Sequence, residues 1–110
     1  MNWGLQILPD MLLIRVLGTI DQNTRDMFEK TAERSVSLSK RKVIVDFSQA
    51  DGSDSLGLVL CGYGVHHLQT LGIPVALICP PTSLLGVLES HGLKGIPSVF
   101  SHTQGVSAMN

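Results

Sequence analysis

Two apolar runs without alternation, "KVIVDF" at 42–47 and "IPVALIC" at 73–79, restrict the fold more than any other feature of the chain. A strand with one face in water alternates apolar and polar residues, so an unbroken run marks a strand covered on both faces, as in a parallel sheet. Parallel neighbours need a crossover between them, usually a helix. The segment from Ser55 to about Leu71 supplies one, and Gly72 closes it. Upstream, Asp21 to Leu38 also reads as a helix, with Met27, Phe28, Thr31, Ala32, Ser35 and Leu38 on one side and Arg25, Asp26, Glu29, Glu33 and Arg34 largely on the other. Asp21, Asn23 and Thr24 are its candidate N-caps.

The remaining segments fit around this frame. "LQILP" and "MLLIRVLGTI" predict two strands joined by a turn at Pro9-Asp10, an opening hairpin. "PPTSLLGVLESHG" predicts a turn, a cap at Thr82 or Ser83, a short helix and a stop at Gly92. A weak strand at 98–100 and a short helix from Gln104 to Met109 complete the chain. The expectation is an α/β fold: one domain over residues 1–110, with a mixed sheet after an N-terminal hairpin, helices packed against it and right-handed crossovers.

Charge narrows the function classes. Residues 1–42 carry seven of the eight Lys and Arg, while 43–110 carry Lys94 against Asp46, Asp51, Asp54 and Glu89. The only basic cluster is "KRK" at 40–42, far short of what displaces counterions from a nucleic acid. Nucleic-acid binding is therefore not expected, and a surface this poor in charge suits a protein partner. The longest apolar runs are too short to span a bilayer, so no membrane insertion is expected. No positively charged stretch precedes the first apolar residues and Asp10 interrupts them, so the expected compartment is the cytoplasm. Cys61 and Cys79 stand in no metal or redox spacing and read as small packing residues; no metal and no cofactor is expected.

One loop carries chemistry. In open α/β sheets the loops at the carboxyl ends of the strands hold function, and "GSDSLG", Gly52 to Gly57, is such a loop between the third strand and the second helix. Three roles are open to its Ser55. It can cap the helix, since Asp and Ser are both favoured N-caps. It can be a nucleophile, because "SDSLG" is similar to one esterase signature; but the tight nucleophile elbow wants glycine two residues before and after the serine, and Ser53 occupies the first of these places. His66, His67, His91 and His102 have no acid at a telling spacing, so a serine hydrolase ranks a distant third and a non-enzymatic protein is expected. Lastly, Ser55 can accept a phosphate, which a helix N-terminus tolerates and which would enter a surface already made acidic by Asp21, Asp51 and Asp54.

The second helix carries Leu56, Val59, Leu60, Tyr63 and Leu71 on one stripe and Leu58, Cys61, Val65 and Leu68 on another. That is more apolar width than one sheet face requires, and the surplus is available to a partner.

Taken in order, "GTID" (Gly18 to Asp21), "VIVDFS" with Asp46, "DSLGL" (Asp54 to Leu58), "LGIPVALIC" and "SHGLKGI" make the chain, from about Leu5 to Val106, resemble the STAS domain of bacterial anti-sigma factor antagonists. The resemblance implies a partner-switching protein, phosphorylated by a serine kinase of the histidine-kinase-like ATPase type that doubles as an anti-sigma factor or other effector. A PP2C-type phosphatase removes the mark, and the unphosphorylated domain binds the kinase and frees the effector, with outputs such as sigma-factor-directed transcription, biofilm formation or secretion. The residue after the loop aspartate is the acceptor in that family, here Ser55. Leu56 stands where the family often has a second hydroxyl, and Gly52 and Ser53 replace residues that are usually apolar, which makes Ser53 a decoy acceptor. The partner-binding surface implied is Asp21, Asp51, Gly52, Ser53, Asp54, Leu56, Gly57 and Leu58. A STAS scaffold subunit that is never phosphorylated is the alternative.

Overall fold

In the computed structural model, which describes residues 1–90 and 98–100, both apolar runs are central strands of one five-stranded sheet. The elements are β1 (Asn2–Ile7), β2 (Met11–Thr19), α1 (Thr24–Ser37), β3 (Lys42–Asp51), α2 (Ser55–Thr70), β4 (Val75–Ile78), α3 (Thr82–Ser90) and β5 (Ser98–Phe100). They are ordered β1-β2-β3-β4-β5 across the sheet. β1 is antiparallel to β2, and every later pair is parallel. The opening hairpin and the mixed sheet are as the sequence predicts. The expected stop at Gly92 and the helix at 104–109 lie outside the described residues.

Both faces of the inner strands are buried. On one face Leu12, Ile14 and Val16 of β2, Val43, Val45 and Phe47 of β3 and Leu77 of β4 form one core with Met27, Phe28 and Ala32 of α1, Leu58, Cys61, Val65 and Leu68 of α2, and Leu84 and Leu88 of α3. On the other, Met11, Leu13, Ile44, Ala76 and Ile78 make a smaller buried cluster. Of the two apolar stripes on α2, the one led by Leu58 therefore packs inward. The other is only partly covered: Val59, Leu60 and Leu71 are half-buried, Leu71 against the core, while Leu56 is 58% and Tyr63 57% exposed.

Several boundaries move for local reasons. β1 starts at Asn2, earlier than predicted, because Trp3 and Leu5 are half-buried on one side while Asn2, Gly4 and Gln6 face water, and it ends before Pro9, which has no N–H to pair. α1 begins at Thr24 because Asp21 first makes a turn, its carboxylate accepting from the Asn23 N–H at 2.8 Å and its carbonyl from the Thr24 N–H at 3.1 Å. Asn23 occupies the N-cap position without a side-chain bond. α2 ends as expected, with Gly72 at φ +77°, a left-handed conformation that favours glycine. α3 starts at Thr82 without needing a hydroxyl cap: the Leu84 and Leu85 N–H groups donate to the Pro81 carbonyl, and Ser83 Oγ donates elsewhere, to Gly52.

β3 runs past its apolar stretch to Asp51. Pairing with β2 steps from Arg15↔Asp46 to Leu17↔Gln49, so β3 carries one residue more than its partner, a bulge stabilised by the Ser48 N–H donating to Asp46 Oδ1 at 2.9 Å. Beyond it, Gly18↔Ala50 and Thr19↔Asp51 extend the ladder. Asp51 is thus the last strand residue and faces Thr19 across the sheet.

Cys61 is fully buried, and burial pushes its thiol up to about 12. The thiol therefore stays protonated, and so unreactive, at pH 8. Iodoacetamide at that pH should label the half-buried Cys79 in the native protein and reach Cys61 only after unfolding; equal native labelling of both would show that Cys61 is not a packing residue.

Candidate phosphoacceptor loop

Three loops meet at the carboxyl ends of β2, β3 and β4. The first, Ile20–Asn23, is fastened to the end of β3, where the second begins, because the Ile20 N–H donates to the Asp51 carbonyl at 2.9 Å. The second, Gly52–Asp54, is fastened to the first turn of α3, just after the third loop, by Ser83 Oγ, which donates to the Gly52 carbonyl at 3.1 Å. α2 then starts directly against the first loop. A methyl group on Gly57 would overlap the Ile20 carbonyl oxygen and stand 2.7 Å from the Asp21 Cα, so only glycine allows this approach. Asp21, Asp51 and Asp54 are brought to one end of the domain.

The cap of α2 is Asp54, in extended conformation (φ −96°, ψ 111°), whose Oδ1 accepts from the Leu56 N–H at 3.1 Å. Ser55 is the first residue inside the helix. Its side chain is exposed and its hydroxyl makes no hydrogen bond among the described residues. Capping therefore belongs to the aspartate, and the serine oxygen is left over. Asp54→Ala should cost about 1 kcal/mol of stability and Ser55→Ala less than about 0.5 kcal/mol, the values for a lost cap and for a plain surface change. Urea titration of both variants checks this, and a reversed order would return the cap to Ser55.

Ser53 differs. Its hydroxyl donates to Asp51 Oδ1 at 2.7 Å, its N–H donates to the same oxygen at 3.1 Å, and Thr19 Oγ1 donates to Oδ2 at 3.0 Å. The Ser53 hydroxyl, then the Thr19 hydroxyl and the Ser53 N–H, hold the Asp51 carboxyl below its ordinary value of 3.8. Asp21 is lowered too, first by the Asn23 N–H and then by the amino group of Met1, 3.0 Å from Oδ2. For a lowered carboxyl the stabilisation is full above the ordinary value and is lost as pH falls through the depressed one, so the loop cluster is held through the neutral range and loosens only in acid.

Of the remaining residues assigned to this surface from the sequence, Gly52 is half-buried, Leu56 is exposed, and Gly57 and Leu58 are buried beneath it. Leu56, Leu60 and Tyr63 continue from the loop along α2 at helical spacing, and beside them a groove between α1 and α2 is lined by Phe28, Leu60, Tyr63 and Gly64 together with Arg25 and Glu29. His66 and His67 lie roughly 17 Å further along the helix than Ser55, by a rise of about 1.5 Å per residue, out of reach as bases. Their two companions, His91 and His102, fall outside the described residues. Among the described residues no three His, Cys, Asp or Glu side chains are placed to hold a metal ion, and no helix is long and apolar enough to cross a membrane.

A model of the STAS domain matches residues 2–106. The fold is similar to that of the anti-sigma factor antagonist SpoIIAA in its unphosphorylated form, with a TM-score of 0.69 and 16% identity over 97% of this chain and 94% of that one. It is also similar to the Bacillus cell fate determinant SpoIIAA in the phosphorylated form (0.68, 15% identity, 99% and 100% of the two chains). A serine-to-glutamate variant of Moorella thermoacetica RsbS aligns at a TM-score of 0.72 and 15% identity over 98% of this chain and 94% of that one. None of the curated proteins compared matches the sequence.

Proposed function

The chain belongs to the STAS domain family, and on that premise we propose that it is a partner-switching regulator whose reversible mark is a phosphate on Ser55. Unphosphorylated, it binds a cytoplasmic serine kinase of the histidine-kinase-like ATPase type and frees the effector that this kinase holds; phosphorylation ends the binding, and a PP2C-type phosphatase restores it. The observation that carries this reading is the state of one hydroxyl. Ser55 is exposed in the first turn of α2, relieved of capping by Asp54, while the neighbouring Ser53 hydroxyl is tied to Asp51. A phosphate at Ser55 would meet the positive end of the helix, so the fold tolerates it. Leu56, exposed beside it, leads the apolar stripe of α2 that a partner would cover. One of the similar solved structures is a phosphorylated form and another carries a glutamate in place of a serine, which accords with a domain type that accommodates an anion without refolding.

The reading is tested by recovering the tagged chain from its own cells under phosphatase inhibition and mapping its phosphate by mass spectrometry. Phosphate is expected on Ser55 and absent from Ser55→Ala, which should stay folded and still capture the kinase. Phosphate on Ser53 alone would defeat the assignment. Capture of partners with no phosphate on either serine would leave a scaffold subunit in place of a switch. Turnover of a nitrophenyl ester that disappears in Ser55→Ala would instead restore the hydrolase.

A further inference from the structure

We propose that Asp51 decides which loop serine is modified: it holds Ser53 in place as a hydrogen-bond donor and leaves Ser55 as the hydroxyl a kinase can take. This rests on the reading of Ser55 as the acceptor and adds a positioning residue to it. Two of the three bonds to the Asp51 carboxylate fix a single residue, through the Ser53 hydroxyl at 2.7 Å and the Ser53 N–H at 3.1 Å. The third, from Thr19 Oγ1 at 3.0 Å, fixes the carboxylate itself, because the β2–β3 register places Thr19 opposite Asp51. The backbone beneath is fixed by the Ile20 N–H donating to the Asp51 carbonyl at 2.9 Å. Asp51 is thus anchored from the neighbouring strand and passes that anchorage on to Ser53.

In phosphoryl transfer the serine oxygen bonds the γ-phosphorus of a nucleoside triphosphate while the bond from that phosphorus to its bridging oxygen breaks. The nucleoside diphosphate leaves, and the hydroxyl proton passes to the kinase's base. To react, Ser53 must first give up a short, charge-assisted bond. Its phosphate, with about −1.5 to −2 charge, would then lie against the carboxylate it had just left. Ser55 gives up no hydrogen bond among the described residues and gains the N-terminus of α2. Ser53 in the loop and Ser55 in the first turn of α2 are both exposed, so exposure alone does not separate them.

The experiment maps phosphate by mass spectrometry on the full chain recovered from its own cells, as wild type, Asp51→Ala and Asp51→Asn, each melted first to establish that it is folded. Wild type should carry phosphate on Ser55. In Asp51→Ala the share on Ser53 should rise roughly tenfold, the factor that loss of one charge-assisted hydrogen bond gives. Asp51→Asn, whose amide oxygen still accepts, should return part of the way. A merely structural effect would lower total phosphate without moving its distribution. Hydrogen exchange of the Ser53 amide in the purified protein should accelerate, again roughly tenfold, in Asp51→Ala, and this needs no kinase. An unchanged Ser53 share, or unchanged exchange, overturns the proposal and leaves Ser55 as the acceptor; no phosphate on either serine of the wild type overturns both readings.

Discussion

Gly57→Ala should lose about 2 kcal/mol of stability, although alanine is the better helix former by about 1 kcal/mol. The added methyl meets the Ile20 carbonyl carbon and oxygen and the Asp21 Cα, which are backbone atoms of the loop after β2, held by the bond from the Ile20 N–H to the Asp51 carbonyl. No rotamer relieves such a contact, so α2 or the Ile20–Asp21 loop must move, at the upper end of the 1–3 kcal/mol that overpacking typically costs, about 3 kcal/mol. A melting temperature lower by roughly 8–12 °C follows for a domain of this size. Gly86 of α3 is the control, because a methyl there meets nothing within 4 Å, and Gly86→Ala should raise stability by about 0.5–1 kcal/mol. Thermal melts of the two variants check both signs, and equal behaviour would mean that α2 does not press on the first loop.

Ser55→Asp should leave the free protein nearly as stable as wild type and weaken partner binding about 100-fold or more. The helix N-terminus returns about 0.3–1 kcal/mol to an anion in its first turn. Repulsion from the Asp54 carboxylate, taken at about 6 Å, costs roughly 0.7 kcal/mol in water and up to about 3 kcal/mol at an effective dielectric of 20. In the solvated protein these effects nearly cancel. When a partner covers the loop, water leaves, the repulsion moves to its upper figure, and an unpaired anion costs several kcal/mol to desolvate. Each 1.4 kcal/mol is a factor of ten in affinity, so the sum exceeds two decades. Capture by immobilised wild-type and Ser55→Asp protein from the same lysate, with melts of each, separates lost binding from lost folding.

Much of this fold is legible in the chain because burial on both faces leaves an unambiguous trace. "VIV" of β3 and "ALI" of β4 can be little else, and the inward face of α1 follows from helical spacing, whereas α2 carries two apolar stripes and only the packing shows that the Leu58 stripe is the inner one. The strand continuing through Ser48 to Asp51 is not legible: polar residues after an apolar run look like a loop, and the pairing that makes them a strand depends on a bulge and on the length of β2. The loop's position is legible in the sequence, but its internal division of labour is not. Asp54 and Ser55 are both good caps by residue type, and only backbone geometry assigns the cap to the aspartate. The tie between Asp51 and Ser53 needs the register that sets Thr19 opposite Asp51, a relation 32 positions apart in the chain. Gly57 belongs to a motif visible in the sequence, yet its reason, the Ile20 backbone beneath it, is visible only in three dimensions.

Whether a phosphate at Ser55 would act as a switch is decided most directly by calorimetric titration of a purified partner kinase with the chain carrying serine or phosphoserine at position 55. Tight binding is expected of the serine form and an affinity lower by about 100-fold or more of the phosphoserine form, with both forms melting within a few degrees of each other. Equal affinities, or tighter binding by the phosphoserine form, would contradict it, the latter by showing that the partner offers Arg or Lys opposite Ser55 and reads the phosphate as a ligand.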